Sequence, residues 1–412
     1  MLAIAIGNTG MQSVLPAIGR TLRIPDQIIA TAFSFSALIW ALAAPIWARL
    51  LERRGAKAMV LLGLCGFTVS LLTCALALTA GILDWIAAGL AFAGFIIGRA
   101  IYGTFGAAAP PAAQALVAAA TSRAERTQAL TLLASAFGLG TILGPALAPF
   151  FVLPVVGLAG PAYMFALMGI AMMLLVAAKL PGIAPGAGHG APVADPEVGG
   201  LPGDASVIAG TARSGDAPVR FTDRRIWPWM IFGLVSGHAQ AIAGQTMAFL
   251  IIDRLAIAPT AAQPLIGVVL MSGAGAALLA QWGVIPRLDP SPRQMVLWGA
   301  ILAAIGCAAI TIAHGLHELA VAYGLASLGF GFLRPGFTAG ASLAVAEHEQ
   351  AAAAGRVTAN NGYAFVLGPS AGIAMYGVWH PLPYLIAAIG LLLLLPYGAR
   401  VLTPDRQPKD AR

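Results

Sequence analysis

The segment AMVLLGLCGFTVSLLTCALALTA, residues 58–80, decides the fold class. None of its 23 residues carries a charge. An α-helix of this length is about 35 Å long, which is enough to cross the ~30 Å hydrocarbon core of a lipid bilayer. We therefore predict a transmembrane helix over these residues.

Apolar runs of similar length lie on both sides of this segment. Two of them, 84–118 and 317–346, are longer than a bilayer requires and contain Pro110, Pro111 and Pro335, which predicts a kink in each. With residues 58–80, the runs predict an all-α membrane protein with twelve transmembrane helices. The other nine runs are 1–19, 28–51, 127–152, 161–180, 226–252, 262–284, 294–314, 356–379 and 381–401.

The composition changes between the sixth and the seventh run. Residues 182–225 are rich in Gly, Ala and Pro and show no apolar periodicity, which predicts a flexible, largely disordered cytoplasmic linker. The predicted domains are an N-terminal six-helix bundle over 1–181, this linker, a C-terminal six-helix bundle over 226–402, and a cytoplasmic tail over 403–412.

The low charge content excludes a soluble globular protein. Charged residues make up 9% of the chain and hydrophobic residues 59%, whereas soluble domains are about 25% charged. The three cysteines lie inside apolar runs at spacings that suit neither a disulfide nor a metal, so we interpret them as packing residues. The net charge of +7 says little until the positions of the cations are considered.

The basic residues predict an orientation in the membrane. With the N-terminus in the cytoplasm, the inner loops, the linker and the tail carry most of the Lys and Arg residues, and the outer loops carry Arg20, Arg23 and Arg254. Cytoplasmic loops are typically enriched in basic residues. The pattern predicts a multi-pass protein of the cell (inner) membrane with both termini in the cytoplasm.

Short matches indicate that the second half repeats the first. KAMVLLG (Lys57–Gly63) leads into the third run and RQMVLWG (Arg293–Gly299) into the ninth. The fifth run contains LGP at Leu143–Pro145, and the eleventh contains LGP at Leu367–Pro369. Two six-helix units repeated in the same orientation give this pairing, so we predict two pseudo-symmetric bundles.

The loop between the second and third runs carries a family signature. Its sequence, ARLLERRGAKAMVLLG (Ala48–Gly63), resembles the signature loop of the major facilitator superfamily, in which basic residues surround a turn glycine. The matching positions are Arg53, Arg54, Gly55 and Lys57. These cations either clamp helix ends and lipid headgroups in one conformation or act only as anchors on the cytoplasmic side.

Other runs extend the resemblance. GRAIYG (Gly98–Gly103) is similar to the helix-4 motif with an intramembrane arginine, here Arg99. GLGTILGPALAP (Gly138–Pro149) is similar to the glycine–proline motif of the drug/proton antiporter branch, and GRVTANNGYAFVLGPSAG (Gly355–Gly372) resembles the corresponding segment of many exporters. The first run, GNTGMQSVLP (Gly7–Pro16), lacks the aspartate that many of these exporters carry there.

The resemblance implies a secondary active transporter that works by alternating access through rocking of the two bundles. It favours export of a small solute in exchange for protons by a monomer without a cofactor. Proton-linked or facilitated uptake is the alternative. We find no phosphate-binding loop and no metal-ligand spacing, so an intramembrane enzyme or a non-transporting receptor is less favoured, and no nucleic-acid partner is expected.

Two arginines within apolar runs are the first candidates for coupling or charge relay. A guanidinium at membrane depth costs at least ~3 kcal/mol, so Arg99 and Arg334 are expected to face the interior. Each either binds an anion or couples protons, or else serves a structural role. Because no carboxylate lies at mid-membrane depth in the sequence, we predict a positive cavity and an anionic or zwitterionic substrate.

His238, in the seventh run, is the third coupling candidate, because an imidazole titrates near neutral pH. The alternative is a hydrogen-bonded packing histidine, and Asp253 and Glu347 near helix ends are weaker candidates. Polar and aromatic residues at similar depth complete a predicted site between the halves. The predicted cavity residues are Asn8, Thr9, Gln12, Tyr102, Gln240, Gln245, Asn360 and Asn361.

Glycines four residues apart predict close helix contacts in the fifth and eleventh runs. Gly140 and Gly144 precede Pro145, and Gly368 precedes Pro369. Glycine allows two membrane helices to approach closely, and proline removes one helix hydrogen bond. These residues form either a hinge or sliding face between conformations, or a static packing face.

Overall fold

The computed structural model describes residues 1–121, 126–180, 220–346 and 349–402, and these residues are almost entirely helical. The prediction of an all-α protein is therefore confirmed. The tail over 403–412 and most of the predicted linker lie outside the described residues. The first-half helices are α1 (Leu2–Thr21), α2 (Asp26–Arg54), α3 (Ala56–Ile82), α4 (Ala88–Phe105), α5 (Ala109–Ala120), α6 (Arg126–Leu147) and α7 (Gly160–Lys179).

The second half repeats this order of long helices. Its helices are α8 (Trp227–Leu255), α9 (Pro259–Leu278), α10 (Ile285–Leu288), α11 (Pro292–Ile312), α12 (Leu316–Leu343), α13 (Gln350–Val378) and α14 (Leu382–Val401). Successive long helices run antiparallel, so their connections alternate between two ends of the bundle. We call the end with residues 22–25, 256–258 and 379–381 the distal end, and the end with Met1 the proximal end.

Eight helical segments in the described part of the chain are long and apolar enough to cross a membrane. The long helices α1 and α8, which carry amide and hydroxyl side chains within their apolar sequence, are not among them. The predicted total of twelve spans therefore stays a prediction. The eight segments are Asp26–Leu51, Ala56–Ile82, Ala88–Val117, Gly160–Lys179, Pro259–Leu288, Pro292–Ile312, Leu316–Leu343 and Leu382–Val401.

The over-long fourth run is broken, but not by its prolines alone. A 3₁₀ turn at Gly106–Ala108 separates α4 from α5. Pro110 and Pro111 then occupy the first turn of α5, where a missing backbone N–H costs nothing. In the tenth run, by contrast, α12 continues through Pro335 as one helix.

Glycine contacts repeat between the two halves. A Cβ atom on Gly140 of α6 would lie 2.6 Å from the Cβ of Ala5 on α1, and a Cβ on Gly368 of α13 would lie 2.6 Å from the Cβ of Ala241 on α8. The fifth run thus packs on the first as the eleventh packs on the seventh. This correspondence is what two pseudo-symmetric bundles require.

The last residues of the predicted linker are described, and they contact the second half. The Arg225 guanidinium binds Glu349 through two hydrogen bonds of 2.7 and 2.8 Å and also binds Asp223. Arg225 beside Asp223 holds the pKa of that carboxyl below its usual value. Residues 220–225 are therefore attached to the turn between α12 and α13.

Candidate functional site

A cavity at mid-depth lies between the two halves, and we call it the central cavity. The centres of water-sized molecules can occupy about 60 Å³ of it. The first half contributes α1 and α6, and the second half contributes α8, α9 and α12. Its lining residues are Thr9, Gln12, Thr141, Pro145, Gln240, Gly244, Gln245, Ala248, Leu270, Gly273, Ala274, Ala277, Tyr323, Ser327 and Phe330.

The lining of the central cavity combines uncharged polar groups with an apolar surface. Amides, hydroxyls and one phenol come from both halves, and the lining contains no charged side chain. Such groups fix the orientation of a ligand by hydrogen bonds, whereas a buried charge would need a counter-charge. The cavity therefore suits the uncharged part of a polar organic molecule.

A smaller side cavity adjoins the central cavity on its proximal side. The two cavities share Gln240 and Phe330. Arg334 of α12 and Asn361 of α13 line the side cavity, together with Ser236, Gly237, Leu333, Phe337 and Phe365. A cation is thus placed beside the uncharged central cavity.

Arg99 lies away from both cavities, inside the first half. Only 4% of the residue is exposed, and its Nη2 donates to the Asn8 side-chain oxygen at 3.1 Å. Its guanidinium carbon lies 5.0 Å from the ring centre of Phe33 and 4.9 Å from that of Tyr102. The aromatic faces and the Asn8 amide therefore surround the charge, and the predicted positive cavity contains Arg334 but not Arg99.

Two further predicted residues contact backbone instead of lining a cavity. Asn360 is fully buried and donates to the carbonyl of Met230 at 3.1 Å. His238 is half-buried, and its Nδ1 donates to the carbonyl of Leu234, one turn earlier in α8, at 2.8 Å. Both side chains therefore make helix-packing hydrogen bonds in this structure.

The predicted conformational motifs lie at two places. Arg53 and Arg54 are exposed at the end of α2, Gly55 has a φ of 80°, and Lys57 donates to the carbonyl of Ala177 on α7 at 3.0 Å. In α6, Pro145 lines the central cavity. Gly140, Gly144 and Gly368 lie on the helix contacts within each half, and Pro369 is buried in α13.

Several residues that line the central cavity are not among those predicted from the sequence. Tyr323 and Ser327 are four residues apart, so they share one face of α12, and Thr141 precedes Pro145 by one turn of α6. Spacing by one helical turn was an available signal.

Polar contacts join the two halves at the distal end. The Arg20 guanidinium of α1 binds Asp253 of α8 through bonds of 2.9 and 3.0 Å. Ser34 of α2 and Ser370 of α13 are hydrogen-bonded at 2.8 Å. The Gln263 amide of α9 donates to Ser13 of α1 at 3.2 Å. Each of these contacts lies on the distal side of the central cavity, so the halves are held together there.

Comparison with known proteins gives the same architecture. The human organic anion transporter MFSD10 (TETRAN) is 17% identical with a TM-score of 0.63, and the match covers 96% of each chain. The nucleoside transporter NupG is 14% identical with a TM-score of 0.67, over 98% of this chain and 97% of that one. A POT family transporter in complex with a thioalcohol-conjugated peptide is 13% identical with a TM-score of 0.65, over 98% and 95%.

At these identities the solved structures establish the fold alone. No functionally curated protein matches the sequence. The sequence profile of the Major Facilitator Superfamily, however, matches residues 1–290 and 286–412, which together span the whole chain. The chain therefore belongs to the Major Facilitator Superfamily and is a transporter rather than an enzyme.

Proposed function

We propose that this transporter works by alternating access and exports a small anionic or zwitterionic organic solute in exchange for protons. The observation that carries the proposal is the central cavity, which both halves line and which lies beside polar contacts that hold the halves together at one end. Separation of the halves at that end would expose the same cavity to the other side of the membrane.

Arg334 supports an anionic group on the solute. The central cavity offers hydrogen bonds without charge, and the side cavity that it adjoins offers one guanidinium. A carboxylate or phosphate on Arg334 would leave the uncharged part of the solute against Gln240, Gln245 and Tyr323. An arginine fork suits both kinds of anion.

The resemblance to the drug/proton antiporter branch supports export, and the excess of basic residues at the proximal end supports a cytoplasmic position for that end. The distal end would then face the outside of the cell membrane. We keep the bundle boundaries 1–181 and 226–402, the flexible linker, the cytoplasmic tail over 403–412 and a monomeric state as part of the proposal. Arg99, His238 and Arg334 stay the candidates for proton coupling.

Inside-out membrane vesicles test the transport reaction. Organic anions extracted from cells that lack the gene are added to vesicles with and without the protein, and their uptake is followed by mass spectrometry. We expect an anion that accumulates in the deletion cells to enter only the protein-containing vesicles, and faster when the vesicle interior is acidic. Depletion of that anion in the deletion cells would instead indicate that the protein imports it. A transport rate that does not depend on the proton gradient would contradict proton exchange.

Variants of two arginines test the anion assignment in the same vesicles. Arg334→Ala should reduce anion uptake by about tenfold or more, since hydrogen bonds to charged groups contribute about 1.5–3 kcal/mol. Arg287→Ala is the matched control, because Arg287 is exposed and binds the Gly283 carbonyl of its own helical segment. Equal loss in both variants, or equal transport of organic cations, would contradict the assignment.

A further inference from the structure

Arg20 at the distal end is shared between two carboxylates from different halves. Its Nε and Nη2 donate to Asp26 of α2 at 2.7 and 2.6 Å, within the first half. Its Nη1 and Nη2 donate to Asp253 of α8, in the second half, at 2.9 and 3.0 Å. The three side chains are 18–29% exposed, so these charge-assisted bonds are less screened than those of a surface ion pair.

Asp253 has two more neighbours, and both belong to its own half. The Tyr376 hydroxyl of α13 donates to Asp253 at 2.6 Å. The Nε2 of His380, in the turn after α13, lies 3.9 Å from the same carboxylate. The His380 ring stacks on the Tyr376 ring, with centres 4.5 Å apart and an angle of 7°. His380 is 52% exposed, so it is in contact with the medium at the distal end.

The consequence for separation of the halves is asymmetric. Arg20 would leave together with Asp26 and would keep a counter-charge. Asp253 would keep the Tyr376 hydroxyl but would lose its cation, which is costly for a partly buried carboxylate. A proton on His380 would supply the missing positive charge at the place where Arg20 had been.

We propose that Asp253 and His380 form a proton-binding site that controls opening of the distal end. The pair carries one negative charge without the proton and none with it, whichever of the two groups holds the proton. The unprotonated pair attracts Arg20 and holds the halves together. The protonated pair is neutral and releases Arg20. This inference rests on the proposed alternating access, and the proton acts on the contact without being carried across the membrane.

The other charged and titratable groups near Asp253 and His380 do not account for proton binding near neutral pH. Arg20 and Asp26 face it from α1 and α2, and Tyr376 and Tyr384 face it from α13 and α14. Arg254, the residue after Asp253, is bound to the carbonyls of Thr311 and Ala313. Arginine, aspartate and tyrosine side chains typically keep one charge state between about pH 5 and 8, whereas an imidazole typically changes charge in this range. A low pH on the distal side is therefore expected to favour separation of the two halves at the distal end, and a high pH to favour their contact.

Distance measurement by pulsed electron paramagnetic resonance tests the proposal on the full-length protein. Spin labels are attached to cysteines at Ala87 and His317, which are exposed at the distal ends of opposite halves, in a chain with Cys65→Ser. When the pH is lowered from 8 to 5.5, the population with the long distance should increase about tenfold relative to the population with the short distance. This is the effect of a one-unit difference in proton affinity between the two states.

Three variants separate the proposal from other causes of pH dependence. His380→Phe keeps an aromatic ring beside Tyr376 but cannot bind a proton. In this variant the ratio of the long-distance to the short-distance population should change less than about twofold with pH. Asp253→Asn should show the long distance at both pH values. Asp26→Asn leaves Arg20 to Asp253 alone and should favour the short distance at both.

The proposed proton-binding site would be contradicted by a wild-type distance distribution that does not change with pH. A full pH response in the His380→Phe variant would contradict it as well. Neither result would affect the proposed transport reaction, which the vesicle assay measures separately. A protein that transports no solute in vesicles but shows the pH response would overturn the proposed function and leave the distal site intact.

Discussion

At the residue scale, Arg99 shows how a membrane protein keeps a cation that contacts no carboxylate among the residues that the structure describes. The guanidinium lies on two aromatic faces and against one amide oxygen, and desolvated cation–π contacts contribute about 2 kcal/mol or more. Arg99→Lys keeps the charge but loses the planar fork, so we expect a stability loss of about 1–2 kcal/mol. Thermal unfolding in detergent measures it.

A second variant checks the cause of that loss. If Arg99 is stabilised by the ring of Phe33, then Phe33→Leu and Arg99→Lys should be non-additive by about 0.5 kcal/mol or more. Additive effects of the two substitutions, or an Arg99→Lys protein as stable as the wild type, would contradict the cation–π interpretation.

The sequence indicates which residue types occur at the site, but it does not indicate which way each side chain points from its helix. Gln240 and Gln245 line the central cavity. Asn360 and Asn361 are neighbours in sequence, yet one binds the Met230 backbone and the other lines the side cavity. Adjacent helical residues point about 100° apart, and the rotation of each helix about its axis is set by packing that no single segment encodes.

At the scale of helices, the contact between α1 and α6 leaves no room for a side chain at Gly144. A Cβ atom there would lie 2.5 Å from the Ile6 carbonyl oxygen and 2.7 Å from the Gly10 nitrogen, and would also overlap the Thr9 hydroxyl. Backbone atoms cannot move aside as a flexible side chain can. Gly144→Ala should therefore destabilise the protein by about 1–3 kcal/mol, which thermal unfolding would detect.

Gly275 of α9 is the matched control for that substitution, because a Cβ atom there would meet nothing within 4 Å. Gly275→Ala should be neutral or stabilising by up to about 1 kcal/mol, since alanine favours a helix more than glycine does. Equal destabilisation by both substitutions would mean that the effect of Gly144→Ala does not come from the close contact.

Helix boundaries were predicted more accurately than helix breaks. The sixth run, predicted at 161–180, forms α7 at Gly160–Lys179, because run length alone fixes its ends. The break in the fourth run falls at Gly106–Ala108, just before the prolines. There Gly106 packs against the rings of Tyr102 and Trp40, and contacts of this kind with another helix are not visible in a local sequence pattern.

At the scale of the molecule, apolar length and internal repetition together predicted the architecture, but composition alone would have missed part of it. Eight segments in the described residues pass a test of length and hydropathy. The helices that fail the test include α1 and α8, which carry Gln12, Gln240 and Gln245 at the central cavity. Polar residues that line a site make its helices less apolar, so the functional helices are the hardest to recognise as membrane spans.

A crosslink between the halves tests whether the distal end has to open during transport. The hydroxyls of Ser34 and Ser370 are 2.8 Å apart and belong to α2 and α13, so cysteines at both positions should form a disulfide under oxidising conditions. Because this bond would fix the halves in the closed contact, we expect transport in vesicles to fall at least tenfold on oxidation and to recover on reduction. The single variants Ser34→Cys and Ser370→Cys should transport equally under both conditions, since Cys74 and Cys307 are buried and Cys65 lies on α3, away from the contact. Full transport by the oxidised, crosslinked double variant would mean that the solute moves without separation of the two halves at this end.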